Sequence, residues 1–550
     1  MHKIEQILEQ EIKRALTNLN YEVGEISLEV INSDYEGDIC TNVALQVSSK
    51  YQVNPKQIAT EIVELISKNE YISSIKVENN GFINITFSEK VFQEYYSNLI
   101  KDQPRIKNRG WKYLEIVSAN PTGYLHIGHT RHGILTDTLG NIFEYMGYSV
   151  KREYLVNDAG NQIKELIFSF WELWKERKYI PTKINLLKAP QEISYRGIDM
   201  QECVDNLWKK YQHRWCVNQI DKLKEPAYTE VKEIILNYFL HHIKKVMSQY
   251  NIQVDYWRHE NSFMTTYNIN RILREIEKYT FNWERAIWLN IPSKKEVLIK
   301  SNGEHTYFMQ DIVYHEQKLS MIGPKDEIIN VLGCDHYGHI DKLIGYLKLR
   351  NKGEEKKIKF ICLQLVKLLE GGKAIKMSKR DSTAIFMRDL ANYMTYEEVR
   401  WFFISQPSTT SLEIDVQKIR SKDYNNPVYY VIYAYSRISK ILQKIDSSLY
   451  LNPNINFNKL ENKERELLNQ LIHFEPLLEN ITINHLPHKL PQYLFKLAKL
   501  FHSYYEETSI LNNEIEDKDL LSQRLALLES IRRVIKTGLT LMKIEARDEL

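Results

Sequence analysis

The stretch from Tyr113 to Val156 constrains the fold more than any other part of the chain. A short apolar run, "YLEIVSA" (Tyr113–Ala119), stops at Asn120-Pro121-Thr122-Gly123. That pattern reads as a buried strand followed by a turn. Leu135, Leu139, Ile142 and Met146 then recur on one helical face, and Gly147 stands where a helix C-cap is expected. "YSVKREYLV" reads as another strand. Strand, turn, helix, strand is the opening of a doubly wound α/β domain.

A chain of 550 residues is too long for one core and predicts about three or four domains. Residues 1–105 read as a small α+β unit. Within it, "IEQILEQEIKRALTNL" has helical apolar spacing. "NPKQIATEIVELIS" opens with Asn54 as N-cap, Pro55 in the first turn and Gln57 at the capping-box position. "IKVENNGFINITF" reads as a hairpin turning at Asn79-Asn80-Gly81. Residues 106–389 read as the α/β domain. It is split by a helical, tryptophan-rich insertion at about 160–290 and resumes near 285 with "AIWLNI", "EVLIK" and "IINVLG". Beyond Gly372 the remaining glycine is Gly538, and apolar residues keep helical spacing, so residues 390–550 read as an all-α domain.

Composition narrows the class. Hydrophobic residues make up 43% and charged residues 26%, as in ordinary globular proteins. No apolar run approaches the length that crosses a bilayer. The start, "MHKIEQILEQEIKRAL", is charged throughout, so no signal peptide is expected. Cys40, Cys203, Cys216, Cys334 and Cys362 are widely spread, which predicts neither a disulfide framework nor a cysteine metal site. A reduced, cytoplasmic location is the expectation. A net charge of +3 decides nothing about nucleic acid, because local patches matter more than totals.

"SANPTGYLHIGHTRHG" (118–133) carries the chemistry. His126 and His129 are three apart, with Gly128 between them and no acid. The zinc-protease pattern needs histidines four apart and a glutamate base, so a metal site is disfavoured. A phosphate site fits better, because unpaired N–H groups and the positive end of the helix dipole attract anions. Two imidazoles there can donate to an α-phosphate, and Gly128 lets a ribose or base approach the backbone. His132 earns no role and reads as ordinary surface. A second cluster, "GGKAIKMSKRDS" (371–382), places Lys376 and Lys379 around Met377-Ser378 behind paired glycines. Such a loop suits clamping a triphosphate.

"HIGH" (126–129) and Lys376-Met377-Ser378-Lys379-Arg380 resemble, in that order, the two signatures of class I aminoacyl-tRNA synthetases. The resemblance implies ATP and Mg²⁺, with His126, Gly128, His129, Lys376, Met377 and Lys379 at ATP and His126, His129, Lys376 and Lys379 catalytic. The insertion is too short for the editing domain of the leucine, isoleucine and valine enzymes, and the cysteine enzyme's zinc site is missing. The glutamate enzyme survives that filter. A catalytically inactive RNA-binding paralogue is a further alternative, against which the intact histidines and lysines argue.

Longer stretches resemble the bacterial arginyl-tRNA synthetases: "VSANPTGYLHIGHTRHG", "YLVNDAGNQI", "TYFMQDIVYH", "NNPVYYVIYAYSRI", "TNVALQVSSKYQVNPKQIA", "GFINITFS" and "RLALLESIRRVIKTGLTLM". The similarity is weakest over 165–250. A guanidinium needs a carboxylate in fork geometry and a nearby tyrosine, and Tyr307 and Asp311 lie four apart, on one face if helical. The resemblance implies that both contact arginine, together with Asn120 and Glu115; Asp335 reads either as a second acidic or polar wall or as a helix cap. It also implies L-arginine and tRNA(Arg) as partners, attack by the tRNA 2′-OH, and a monomer. Tyr433, Tyr435 and Arg437 are the expected anticodon contacts, and Phe82 and Asn84 the expected contacts of an exposed hairpin with the tRNA elbow. Two positions depart from the family: Ser382 replaces a glycine, and the family's "ADHHGY" is Cys334-Asp335-His336-Tyr337-Gly338-His339.

Overall fold

The computed structural model describes residues 2–24, 26–31, 37–66, 70–101, 108–179, 193–215, 227–292, 294–334, 337–375, 385–420, 425–508, 510 and 517–549. The chain forms two compact units. One comprises Met1–Arg105, Lys422–Asn484 and Lys489–Leu550, the other Ile106–Ser421 with His485–His488.

In the first unit, β1 (Glu29–Val30), β2 (Ile39–Thr41), β3 (Ile72–Val77) and β4 (Ile83–Phe87) form an antiparallel sheet in the order β1-β2-β4-β3. The helix His2–Asn18 buries Ile4, Leu8, Ile12 and Leu16, which share one face because they recur every four residues. Asn54 caps the helix Pro55–Leu65, its side chain accepting from the Lys56 and Gln57 N–H groups. The helices Pro427–Leu442, Asn462–Ile472, Phe474–Asn484, Lys489–Glu507 and Lys518–Leu541 belong to the same unit. Gly538 sits where the last two pass closely, because a Cβ there would lie 2.6 Å from Leu494 Cδ2. Arg465 joins the two parts of this unit, donating to Glu89 Oε1 and the Phe87 carbonyl, both at 2.8 Å. Asn469 donates to the Asp38 carbonyl at 2.9 Å.

The second unit is built on a five-stranded parallel sheet. Its members are β5 (Trp111–Glu115), β6 (Ser149–Val156), β7 (Tyr256–His259), β11 (Glu327–Gly333) and β12 (Ile358–Leu363), in the order β12-β11-β5-β6-β7. Between β7 and β11 in sequence, β8 (Thr280–Trp283), β9 (Ala286–Ile291) and β10 (Lys294–Ile299) make a separate antiparallel sheet. β13 (Val366–Glu370) pairs with β14 (Lys373–Ala374) and β15 (Leu412–Asp415). The parallel sheet therefore takes in residues 256–259, inside the span read as insertion, and "AIWLNI" and "EVLIK" do not join it. The sequence reading misses β7 because "YWRH" has neither an apolar run nor alternation. Its bonds are made across the sheet: Trp257 stacks on Tyr154 at 4.5 Å and Arg258 pairs with Glu153 at 2.8 Å. Helices Asn161–Tyr179, Ile198–Tyr211 and Ala227–Gln249 pack around Trp171, Trp174 and Trp215, matching the tryptophan-rich helical pattern.

The helix Ile127–Tyr145 closes with a Schellman motif. Gly147 has φ +90°, its N–H donates to Glu144, and the Tyr148 N–H donates to Phe143. The chain direction across the sheet reverses at β5, with β6 and β7 on one side and β11 and β12 on the other. Open α/β sheets bind ligands outside the carboxyl ends of the strands at such a switch point.

Candidate active site

β5 stops at Glu115, four residues earlier than the apolar run suggests. Val117 and Ser118 take positive φ, +62° and +47°, which ends the ladder and turns the chain. Local bonds hold this strained turn: Ser118 Oγ accepts from the Leu155 N–H at 3.0 Å, and Tyr154 donates to the Ala119 carbonyl at 2.7 Å. Asn120 Oδ1 then accepts from Asn157 at 2.6 Å, and Asn157 Oδ1 accepts from Gln310 at 2.9 Å. Asn120 also donates to Gln162. A chain of amides thus joins the turn after β5 to the helix Tyr307–Met321. Asn157 and Gln310 were not singled out by sequence, although both lie in family-like stretches, "YLVNDAGNQI" and "TYFMQDIVYH".

His126 is the N-cap of Ile127–Tyr145. Its Nδ1 accepts from the Gly128 N–H at 3.1 Å, and His129 Nδ1 accepts from the His126 N–H at 3.2 Å. The two rings stack at 3.8 Å. Because each Nδ1 accepts, each neutral ring carries its proton on Nε2. Burial pushes His126 below the usual imidazole range, and burial together with His126 and His132 pushes His129 well below it. Neutral Nε2–H donors therefore stand at a helix N-terminus. Gly128 has a steric role besides ligand access: a Cβ there would lie 2.9 Å from His126 Cε1.

The segment after the lysine loop lies beside this cap. The Ile127 N–H donates to Ile385 at 2.9 Å, the Met387 N–H donates to Leu125 at 2.7 Å, and His126 bridges Phe386. Arg388 forks onto Glu202 at 2.6 and 2.8 Å and lies 4.4 Å over the Tyr124 ring. Lys376, Met377, Lys379 and Ser382 lie outside the described residues, as do Asp335 and His336.

Tyr307 opens its helix and is exposed, and Asp311 is one turn further on, on the same side. Asp311 Oδ2 is 3.4 Å from His339 Nδ1. Glu115, expected at the arginine, is the last residue of β5. It is buried, and Oε2 accepts from Lys318 at 2.9 Å. Burial alone would raise its carboxyl, but Lys318 and His315 outweigh that and hold it below the usual range. Lys318 also donates to Asn330, at 3.4 Å, and Asn330 Nδ2 lies 2.9 Å from His315 Nε2. His132 is not surface: it is buried against this cluster, and burial pushes it down to about 4. It faces Glu115, the last residue of β5.

In the first unit, Phe82 is half-buried beside the hairpin turn. Asn84 is buried rather than exposed, on the inner strand β4 opposite Cys40 and Lys76. Tyr433 is exposed; Arg437 donates to its hydroxyl and lies 4.4 Å over its ring, and Tyr429 stacks on it at 6.1 Å. Tyr435 is buried, because two residues along a helix point it away from the face shared by Tyr433 and Arg437.

Comparison with known proteins identifies the arrangement. The family model of the class I (R) tRNA synthetase catalytic domain matches residues 96–394, that of the arginyl-tRNA synthetase N-terminal domain residues 2–87, and that of the DALR anticodon-binding domain residues 431–550. The chain is 34% identical over 529 residues to the arginine–tRNA ligase of Malacoplasma penetrans, spanning 93% of this chain and 92% of that one. It is 31% identical over 590 residues to that of Aquifex aeolicus, spanning 100% of each. The arginyl-tRNA synthetase of Thermus thermophilus shares the fold, with a TM-score of 0.76 at 19% identity over 99% of this chain and 100% of that one. By catalytic-domain match and by identity over its length, the chain belongs to the class I arginyl-tRNA synthetases.

Proposed function

We propose the following division of labour for the ligation of arginine to tRNA. The arginine carboxylate attacks the α-phosphorus of ATP, the bond to pyrophosphate breaks, and arginyl-adenylate forms. The 2′-OH of the tRNA terminal ribose then attacks the adenylate carbonyl and AMP leaves. The observation that carries the reading is that Nδ1 of His126 and of His129 each accepts a backbone N–H, which leaves the proton of each neutral ring on Nε2. Two neutral Nε2–H donors at a helix N-terminus, beside a topological switch point, suit a phosphate whose charge grows in the transition state. Catalysis is then mainly positioning and charge stabilisation.

Asp311 and Tyr307 receive the guanidinium, and Asn120, held by Asn157 and Gln162, receives the α-amino or carboxylate end. An anionic side chain would be repelled by Asp311, which argues against glutamate. Glu115 acts through Lys318, as a buried counter-charge beneath the turn, rather than by touching arginine. Asp335 belongs to the same proposal as a further polar wall. Lys376, Met377 and Lys379 meet the triphosphate, the lysines neutralising pyrophosphate. Among the described residues no group of three or more His, Cys, Asp or Glu could hold a metal ion; Mg²⁺ would accompany the ATP phosphates. Tyr433 and Arg437 offer a stacking and phosphate surface to tRNA, and Phe82 offers a smaller one. The enzyme works as a monomer in the cytoplasm. Among the described residues no helix is long and apolar enough to cross a membrane. ATP–pyrophosphate exchange with each amino acid, with and without tRNA, tests the activity: exchange specific for arginine is expected, and exchange specific for glutamate would overturn it.

A further inference from the structure

Asp311 is already engaged before arginine arrives. Its Oδ2 lies 3.4 Å from Nδ1 of His339, which reaches over from the neighbouring helix Tyr337–Arg350. Their side chains are 36% and 46% exposed, so a ligand from solvent can reach both. Other charged groups also face His339. Lys342 is one turn further along its own helix, and Glu296 approaches from β10. Those two are paired with each other at 2.9 Å, and Glu296 also takes Lys294 at 3.0 Å. Asp311 is within hydrogen-bond distance of the imidazole.

We propose that His339 is a proton-operated guard on the arginine acceptor: protonated, it pairs with Asp311 and opposes the guanidinium; neutral, it yields the carboxylate. The inference rests on Asp311 being the guanidinium partner. Two cations on one carboxylate repel each other, so arginine and an imidazolium compete for it. The hydrogen bond to Asp311 lifts His339 above the usual imidazole range, against a smaller opposing effect of burial, which extends the protonated state toward neutral pH. Arginine that binds below this range must expel the proton. His339 is thus a specificity-determining residue that tunes affinity for arginine by pH. It takes no part in the phosphoryl chemistry.

Calorimetric titration of the full chain with arginine tests this, run from pH 6 to pH 8.5 in two buffers of different ionisation enthalpy. For the unmodified chain, the arginine Kd should weaken by up to about tenfold per pH unit below the His339 range, with up to about one proton released per arginine. H339N and H339Y should flatten both the slope and the proton count, while E296Q should keep them. Two variants of His339 guard against loss of fold in either, which a thermal melt reports. Retention of the full slope and proton count in H339N and H339Y would overturn the guard. D311N separates that failure from the failure of the site. Loss of arginine binding in D311N, with unchanged slopes in the His339 variants, sinks the guard alone. Unimpaired binding in D311N sinks the guanidinium assignment and the guard with it.

Discussion

His129 and His132 share a helix and a side-chain type, yet their surroundings divide their work. His129 uses Nδ1 to close the cap and leaves Nε2–H to donate outward. In His129→Asn the side-chain oxygen can still accept from the His126 N–H, but the outward donor is gone. Arginine-dependent pyrophosphate exchange should show kcat lower by about 10²–10³-fold, with KM for ATP little changed. An unchanged kcat would remove His129 from the chemistry. His132 is buried in the cluster around Glu115. It stays neutral in the folded chain down to about pH 4, whereas an ordinary imidazole takes a proton near 6.5. Between those values the unfolded chain binds the extra proton, so stability falls as pH drops from 6.5 toward 4, by roughly 3 kcal/mol. Glu115, held below the usual carboxylate range, adds a loss in the same direction as pH falls. Thermal melts of His132→Asn should therefore show a shallower acid decline than the unmodified chain; equal slopes would mean that the ring is not buried neutral.

At the scale of elements, the helix after the strand was legible because three signals agree: a punctuated apolar run, a periodic face and Gly147. What periodicity does not carry is the cap. The N-cap here is a histidine, outside the usual Ser, Thr, Asp and Asn set, and it works because Gly128 leaves room for its ring. Gly128→Ala should push the His126 ring off the helix end. The expected loss is about 1 kcal/mol in stability, from the missing cap, together with a larger fall in exchange activity. Wild-type activity in this variant would show that the ring packing does not matter. β7 stayed invisible for the opposite reason: a short edge strand of mixed polarity is specified by its neighbours Glu153 and Tyr154, not by its own pattern. Asn84 and Tyr435 are both buried. A residue type suited to RNA contact says nothing about which face of a strand or helix it occupies.

Across the whole molecule, the ends of the sequence come together. Residues 1–105 and the C-terminal helices pack as one unit, with Arg465 spanning Glu89, Phe87 and Asp38. Arg465→Ala removes these charge-assisted bonds while leaving both parts their own cores. Hydrogen exchange should quicken at residues 37–41 and 83–92, with a lower melting temperature; unchanged exchange would show that apolar packing alone holds the two parts. The sequence by itself determined the α/β opening, the capped helix at 55–65, the hairpin at 79–81, the helical character of the C-terminal part and the two signature motifs. These are local properties, set by periodicity, turn chemistry and residue type within a few turns of chain. Only the tertiary structure decided that Glu115 is neutralised by Lys318, that His132 is core, that Asn157 and Gln310 brace Asn120, and that His339 sits on Asp311. Each of those facts depends on what lies opposite a side chain in space. That is fixed by the order of strands in the sheet and by the packing of helices distant in sequence.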